Sequence, residues 1–293
     1  MNRRDFLAAA GAPLLLAGCA SAAPPARDDV QARLRGIERE AGGRIGVFAL
    51  ETRTRAVVEH RGGERFALCS TFKLPLCAAV LARVDAGELA LDRPVRIGPE
   101  DLVPYAPVVT KRMSQGSMRV RDLCEATMTL SDNAAANLLL GLVGSSAGVT
   151  AFMRSMGDPE TRLDRVEPGL NTNLPGDPRD TTTPRAIVGS MEAMLLGTRL
   201  APPSRAQLTA WMVHNETGAR RIRAGVPEGW TVGDKTGTGA NGAVNDVAIL
   251  WPPGRAPILL AIYMDASTAD TKELEKHHAR IARVVLERYS TTS

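Results

Sequence analysis

Aromatic residues are scarce: Phe, Trp and Tyr together make 4% of the 293 residues. The chain therefore lacks a row of rings on which bases could stack. Runs of positive charge are short as well. No stretch of Lys and Arg exceeds two residues, as at Lys111-Arg112 and Arg220-Arg221, and the formal net charge is +4. Charge spread in this way is a solvated surface, whereas a nucleic-acid binder gathers it into a stripe. Histidine is limited to four residues, His60, His214, His277 and His278. None stands in H-E-x-x-H or a similar ligand spacing, so no metal and no other cofactor is expected. The apolar stretch from Leu7 to Ala17 is too short for a permanent membrane helix.

What is present begins with an N-terminal address over residues 1–26. Arg3-Arg4 followed by Asp5-Phe6-Leu7 resembles a twin-arginine export signal. Leu16-Ala17-Gly18-Cys19 resembles a bacterial lipobox, which would make Cys19 a lipid-bearing residue, and Ala20 to Ala26 reads as a tether. The expected location is the periplasm, as a lipoprotein that touches the membrane only through that anchor. An exported chain meets an oxidising compartment. Three cysteines remain beyond Cys19, namely Cys69, Cys77 and Cys124, which allows one bridge and leaves one free thiol. Spacing alone does not choose the pair.

With 44% hydrophobic and 23% charged residues, the chain can build a sizeable core, as one large domain or two closely packed ones. Val30, Leu34 and Ile37 recur at helical spacing, predicting a helix over 30–40. Residues 44–50 and 56–60 read as strands joined by the polar turn Glu51-Thr52-Arg53-Thr54. From Ser70 to about Trp211 the pattern is helical pieces broken by Gly and Pro, at 123–143, 148–156, 184–196 and 203–214. The stretch from Arg162 to Thr183 is rich in Pro, Gly, Asn and Asp and has no periodicity; loops of that length in a compact domain are commonly functional. Strands return at 230–235, 244–251 and 258–264, and an amphipathic helix with Leu274, Ile281, Val284 and Val285 on its apolar face follows at 272–289. The economical architecture is α+β. Residues 27–63 and 215–293 would form one α/β domain from both ends of the chain, 64–214 an inserted all-α domain, and the cleft between them the active site. No apolar stripe stands out beyond this core, so a monomer is expected.

Three short motifs carry chemistry. Ser70-Thr71-Phe72-Lys73 is an S-x-x-K: at the start of a helix, Lys73 shares a face with Ser70, and the helix dipole favours a developing oxyanion there. A serine hydroxyl needs a base to become a nucleophile, and a nearby neutral lysine can serve. Ser131-Asp132-Asn133 precedes the helical Ala134-Ala135-Ala136. Lys235-Thr236-Gly237 follows an apolar strand, where a cation and a hydroxyl suit a ligand carboxylate and Gly admits a close backbone approach. Each alone has an ordinary structural reading as a helix cap or a turn.

Together, in this order, they resemble the class A serine β-lactamases and the penicillin-binding proteins. The resemblance deepens at Glu167-Pro168-Gly169-Leu170-Asn171, which is similar to the E-x-x-L-N of class A and falls in the aperiodic stretch. It spans about Arg44 to the C-terminus. It implies a two-domain fold with an antiparallel sheet flanked by terminal helices plus an inserted helical domain, and a β-lactam as the small-molecule substrate. It implies Ser70 as nucleophile, Lys73 beside it, Ser131 as proton relay, Lys235 and Thr238 in the catalytic set, and Glu167 with Asn171 as the water-activating pair. Tyr105, Asn133, Thr236, Gly237 and Arg221 would bind substrate, with Arg220 as the rival to Arg221. Arg165 and Asp180 would pin the loop, and Cys77 and Cys124 would form the disulfide. The Lys235-Thr236-Gly237-Thr238-Gly239 segment and the Asn245-Asp246-Val247-Ala248 run after it resemble the serine carbapenemase subgroup, which bridges a Cys before its nucleophile to a Cys after Lys-Thr-Gly-Thr. Here Cys69 is present but Gly239 occupies the partner position, so that bridge cannot form. A cell-wall carboxypeptidase, or a sensor that acylates without turnover, would share the three short motifs and leave Glu167 idle.

Overall fold

The apolar spacing of Val30, Leu34 and Ile37 places all three, buried, on one side of the first helix and against a sheet. The computed structural model describes residues 27–290; the export signal and Cys19 lie outside them. In chain order the elements are α1 (Arg27–Ala41), β1 (Arg44–Glu51), β2 (Val57–His60), β3 (Phe66–Ala67), α2 (Lys73–Asp85), β4 (Pro94–Arg96), α3 (Pro107–Arg112), β5 (Ser117–Arg119), α4 (Val120–Thr129), α5 (Asn133–Leu142) and α6 (Ser145–Ser155). They continue with β6 (Thr181–Thr182), α7 (Pro184–Leu195), α8 (Pro202–Val213), β7 (Thr231–Thr238), β8 (Val244–Trp251), β9 (Ile258–Asp265) and α9 (Thr271–Ser290).

The five long strands form one antiparallel sheet in the order β2-β1-β9-β8-β7. One face is covered by α1 and α9, with Leu34, Ile281 and Val285 packed among Val47, Ala248 and Leu260. The other face joins a larger core in which Phe66, Phe72, Leu76, Leu139, Met191, Leu259 and Tyr263 meet. Helix α2 runs through this core, and every residue from Lys73 to Leu81 is buried. Each large aliphatic or aromatic side chain so buried contributes about 1.5–3 kcal/mol, which fixes the position of the site at the N-terminus of α2.

The helix expected over 123–143 is two helices. Apolar spacing continues through Leu130, but Ser131 has a left-handed backbone (φ +58°). Asp132 then caps α5 by accepting the Ala135 N–H at 2.9 Å, and its other oxygen accepts the Val108 and Val109 N–H groups of α3 at 2.8 and 3.0 Å. One carboxylate thus ends the orphan donors of two helices and turns Ser131 and Asn133 inward. Strand β7 is longer than expected: Lys235-Thr236-Gly237 lies inside it, with Thr236 opposite Asp246 and Gly237 opposite Asn245. The short ladders β3–β6 and β4–β5 are too brief to leave a period in the sequence. The 77–124 disulfide is corrected. Cys69, Cys77 and Cys124 are free buried thiols, with the Cys77 thiol 3.9 Å from the Cys124 carbonyl.

Candidate active site

The chain enters α2 through a short 3-10 turn, Cys69–Phe72, with Cys69 at positive φ (+45°). This turn sets Ser70 ahead of the helix and Lys73 at its first residue. Lys73 Nζ lies 2.9 Å from Ser70 Oγ and 3.1 Å from Glu167 Oε1. It also reaches Asn133 Oδ1 at 2.6 Å, the Ser131 carbonyl at 2.7 Å and Ser131 Oγ at 3.2 Å. Five acceptors therefore surround a group with three protons to donate. Burial pushes the Lys73 ammonium below its ordinary range, and the facing Glu167 carboxylate opposes that shift. The group is consequently poised to give up or take a proton beside Ser70.

Ser131 stands between two amines. Lys235 Nζ donates to its Oγ at 3.1 Å, from the side opposite Lys73, and to the Thr236 carbonyl at 3.0 Å. Burial, then the charge of Lys73, lowers Lys235 to about 7. A hydroxyl held between two such amines can pass a proton in either direction.

The edge strand β7 forms the opposite wall. A Cβ built on Gly237 would stand 2.9 Å from the Leu68 carbonyl and 3.2 Å from Ser70 N, so only glycine lets this edge lie against the nucleophile's turn. Arg221 reaches the same edge from beneath. Its guanidinium donates to the Gly237 and Asn245 carbonyls at 2.8 and 2.7 Å and to Thr238 Oγ1 at 2.7 Å, with Glu275 Oε1 at 3.4 Å. Arg220 has a side chain 73% exposed and pairs with Glu275 at 2.6 Å. Geometry thus places Arg221, and not Arg220, at the cavity. Thr217, which the sequence reading missed, meets Thr236 hydroxyl to hydroxyl at 2.5 Å.

Glu167 completes the floor. Its Oε1 accepts from Ser70 Oγ at 3.4 Å and its Oε2 from Asn171 Nδ2 at 2.5 Å. The Asn137 side chain, also missed, clamps the Glu167 backbone: Oδ1 accepts its N–H at 3.0 Å and Nδ2 donates to its carbonyl at 2.9 Å. Asn137 lies four residues after Asn133 on α5, and that helical spacing was the available signal. Asp180 accepts from Arg165 Nε at 2.5 Å and from the Asp164 and Arg165 N–H groups at 2.7 and 2.9 Å, which closes the neck of the loop. Asn171 Oδ1 is buried without a protein partner. Asn133 is held by its own Nδ2 to the Pro104 carbonyl at 2.8 Å and its N–H to the Tyr105 carbonyl at 3.0 Å, leaving the Tyr105 ring 60% exposed at the rim.

These walls enclose a cavity of about 340 Å³, faced by Ser70, Tyr105, Ser131, Asn133, Asn171, Arg221, Thr236, Gly237 and Thr238. Lys73, Glu167 and Lys235 are buried behind it. All twelve residues expected to catalyse or bind are therefore brought to one place. A Cβ on Gly239 would meet Cys69 Sγ at 2.6 Å and the Asn171 carbonyl at 2.8 Å, so Cys69 does face position 239. Burial raises the Cys69 thiol to about 12, which keeps it protonated and unreactive.

A model of the β-lactamase enzyme family matches residues 28–289. The carbapenem-hydrolyzing β-lactamase KPC of Klebsiella oxytoca is 51% identical over 252 residues, 86% of each chain. β-Lactamase AST-1 of Nocardia asteroides is 45% identical over 98% of this chain and 96% of its own. Among solved structures, an ancestral class A β-lactamase is 52% identical and superposes with a TM-score of 0.87, over 88% of this chain and 99% of that one. With the serine, lysine and glutamate of the site in contact, a family model matched over residues 28–289 and the fold shared over 88% of the chain, the chain belongs to the class A serine β-lactamases.

Proposed function

We propose that the chain hydrolyses the amide bond of penicillins and cephalosporins through an ester on Ser70, and thereby confers resistance to them. Lys73 or Glu167 takes the Ser70 proton as Oγ attacks the lactam carbonyl. The N–H groups of Ser70 and Thr238 receive the oxyanion; one such donor is worth about 3 kcal/mol. Ser131 hands a proton to the departing nitrogen. Asn133 binds the side-chain amide, Tyr105 borders it, and Lys235, Thr236, Thr238 and Arg221 hold the carboxylate.

The observation that carries this reading is Glu167, 3.4 Å from Ser70 Oγ with Asn171 on its other oxygen. The buried, unpartnered Asn171 Oδ1 gives an incoming water a second acceptor, so that Glu167 can take its proton and hydroxide can release the ester. Excess benzylpenicillin mixed with the protein should be turned over many times, with little adduct in the intact mass. One persistent adduct per chain would instead indicate a penicillin-binding or sensor protein.

Lys235 adds a pH dependence. The ratio kcat/KM reports ionisations of the free enzyme. Lys235, lowered to about 7, loses its charge as pH rises through that value, so kcat/KM should fall on the alkaline side. Lys235→Arg stays charged and should move that limb to higher pH. A profile unchanged by the substitution would assign the alkaline limb to another group.

We further read 27–63 with 215–293 as one unit and 64–214 as the inserted helical one. Residues 1–26 we read as an export signal whose Cys19 carries lipid, giving a periplasmic, anchored monomer; the paired arginines and the Leu-Ala-Gly-Cys run support this.

A further inference from the structure

Three ties, among others, set the position of the loop that carries Glu167. Two are the Arg165–Asp180 neck and the grip of Asn137 on the Glu167 backbone. The third is a contact with the turn after β7 that no sequence motif announces. Ala240 N–H donates to the Asn171 carbonyl at 2.9 Å. Two asparagines then reach across in opposite directions. Asn173 Nδ2 donates to the Ala240 carbonyl at 3.2 Å and lies 3.4 Å from that of Asn241. Asn241 Nδ2 donates to the Asn173 carbonyl at 2.9 Å and the Thr172 carbonyl at 3.2 Å. Both residues sit at positive φ, +43° and +52°, a conformation that asparagine tolerates better than most residues. Gly239 completes the contact, since a Cβ there would stand 2.8 Å from the Asn171 carbonyl.

We propose that Asn173 and Asn241 are positioning residues for ester hydrolysis, a clasp that registers the water-holding arm, Glu167 and Asn171, on the strand end that carries Thr238. The clasp lies two residues beyond Asn171 on one side and two or three beyond Thr238 on the other. It is thus a short mechanical path between the two groups that must face the same carbonyl in deacylation. In that step water oxygen bonds to the ester carbon, its proton passes to Glu167, and the carbonyl electrons move onto the oxygen held by the Thr238 N–H; those electrons then return to reform the carbonyl as the bond to Ser70 Oγ breaks and Oγ takes the proton back from Glu167, directly or through Lys73, leaving a free carboxylic acid. Acylation with Lys73 as the base uses Ser70, Lys73, Ser131 and the same oxyanion donors, and does not need Glu167 and Asn171 to hold a water. Loosening the clasp therefore slows the second step selectively. This inference rests on the deacylating role assigned above to Glu167 and Asn171.

The test is rapid-quench kinetics with benzylpenicillin on Asn173→Ala, Asn241→Ala, the double variant and Gly239→Ala, with Glu167→Ala as the reference. The clasp variants should acylate within about twofold of the parent, while deacylation falls about ten- to hundred-fold, the scale of an ångström-size misplacement. The ester should become visible in the intact mass at steady state. Asn173 and Asn241 are exposed or half-exposed, so their removal leaves the core intact, and Gly239→Ala separates the same two segments by another route. Equal loss in both steps, or lowered melting temperature with the two rates unchanged, would overturn the clasp. If Glu167→Ala itself fails to accumulate ester, it is the deacylation reading that falls.

Discussion

Glu167→Ala is expected to leave a protein that opens the β-lactam ring once and then stops. The substitution removes the carboxylate 3.4 Å from Ser70 Oγ and the partner of the Asn171 amide, so nothing remains to take a proton from the attacking water. A positioned general base contributes about 10²–10⁴ in rate, and steady-state hydrolysis should fall by that factor. Acylation survives for a specific electrostatic reason. Burial already lowers Lys73, and Glu167 is the largest influence holding it up. Without the carboxylate the amine becomes neutral more readily, and it still lies 2.9 Å from Ser70 Oγ, where it can act as the base. Intact mass after mixing with benzylpenicillin should show a stoichiometric adduct. Unchanged turnover would remove Glu167 from the mechanism, and loss of acylation would make Glu167 the base of the first step too.

Arg221→Ala should raise KM far more than it lowers kcat. The guanidinium is buried beneath β7 and donates to the Gly237 carbonyl, the Asn245 carbonyl and Thr238 Oγ1, so it both adds positive charge near the substrate carboxylate and aims the Thr238 hydroxyl at it. A hydrogen bond to a charged group is worth about 1.5–3 kcal/mol, which corresponds to about ten- to a hundred-fold in kcat/KM. Arg221→Lys should recover little, because one ammonium cannot serve three acceptors in a plane. Arg220→Ala is the control. Its side chain is exposed and bonded to Glu275, and its removal should leave KM unchanged. Steady-state kinetics of the three variants decide the matter; a larger effect at Arg220 would reverse the assignment.

How much of this was legible depended on how local each determinant is. Ser70 and Lys73 lie three residues apart, Glu167 and Asn171 share one short turn of the loop, and Lys235 to Thr238 share one strand, so each group survives as a short motif, and the conjunction of the motifs carried the family resemblance that implied their roles. Strands β1, β8 and β9 were legible because each carries a largely apolar run; β2 and β7 are short or polar, and β7 was read too short. The break at Leu130 was not legible, because the apolar pattern runs across it and the signal for the break is Asp132, whose second oxygen caps a helix more than twenty residues earlier. Arg221 was preferred to its rival Arg220, but spacing carries no reason for the preference: adjacent residues point apart, and only the packing of α9 through Glu275 shows which faces inward. Asn137, Thr217 and the Asn173–Asn241 clasp act through backbone groups distant in sequence, which carry no residue-type signature. The free thiols of Cys77 and Cys124 were misread because pairing depends on where sulfur points, which composition does not encode.

The central ladder of the sheet joins β1 to β9 over its whole length, from Arg44 opposite Asp265 to Glu51 opposite Ile258. Partners 221 residues apart, such as Arg44 and Asp265, must therefore meet before either strand is buried. The earliest strand can pair with β2 as soon as both are made, but a ribosome has to finish nearly the whole polypeptide before β1 gains its second neighbour, β9. A stop anywhere ahead of β9 is then damaging, since even a product that keeps the nucleophile lacks the strand that joins β1 to β8. Resistance encoded by this chain should be lost with any truncation that removes β9.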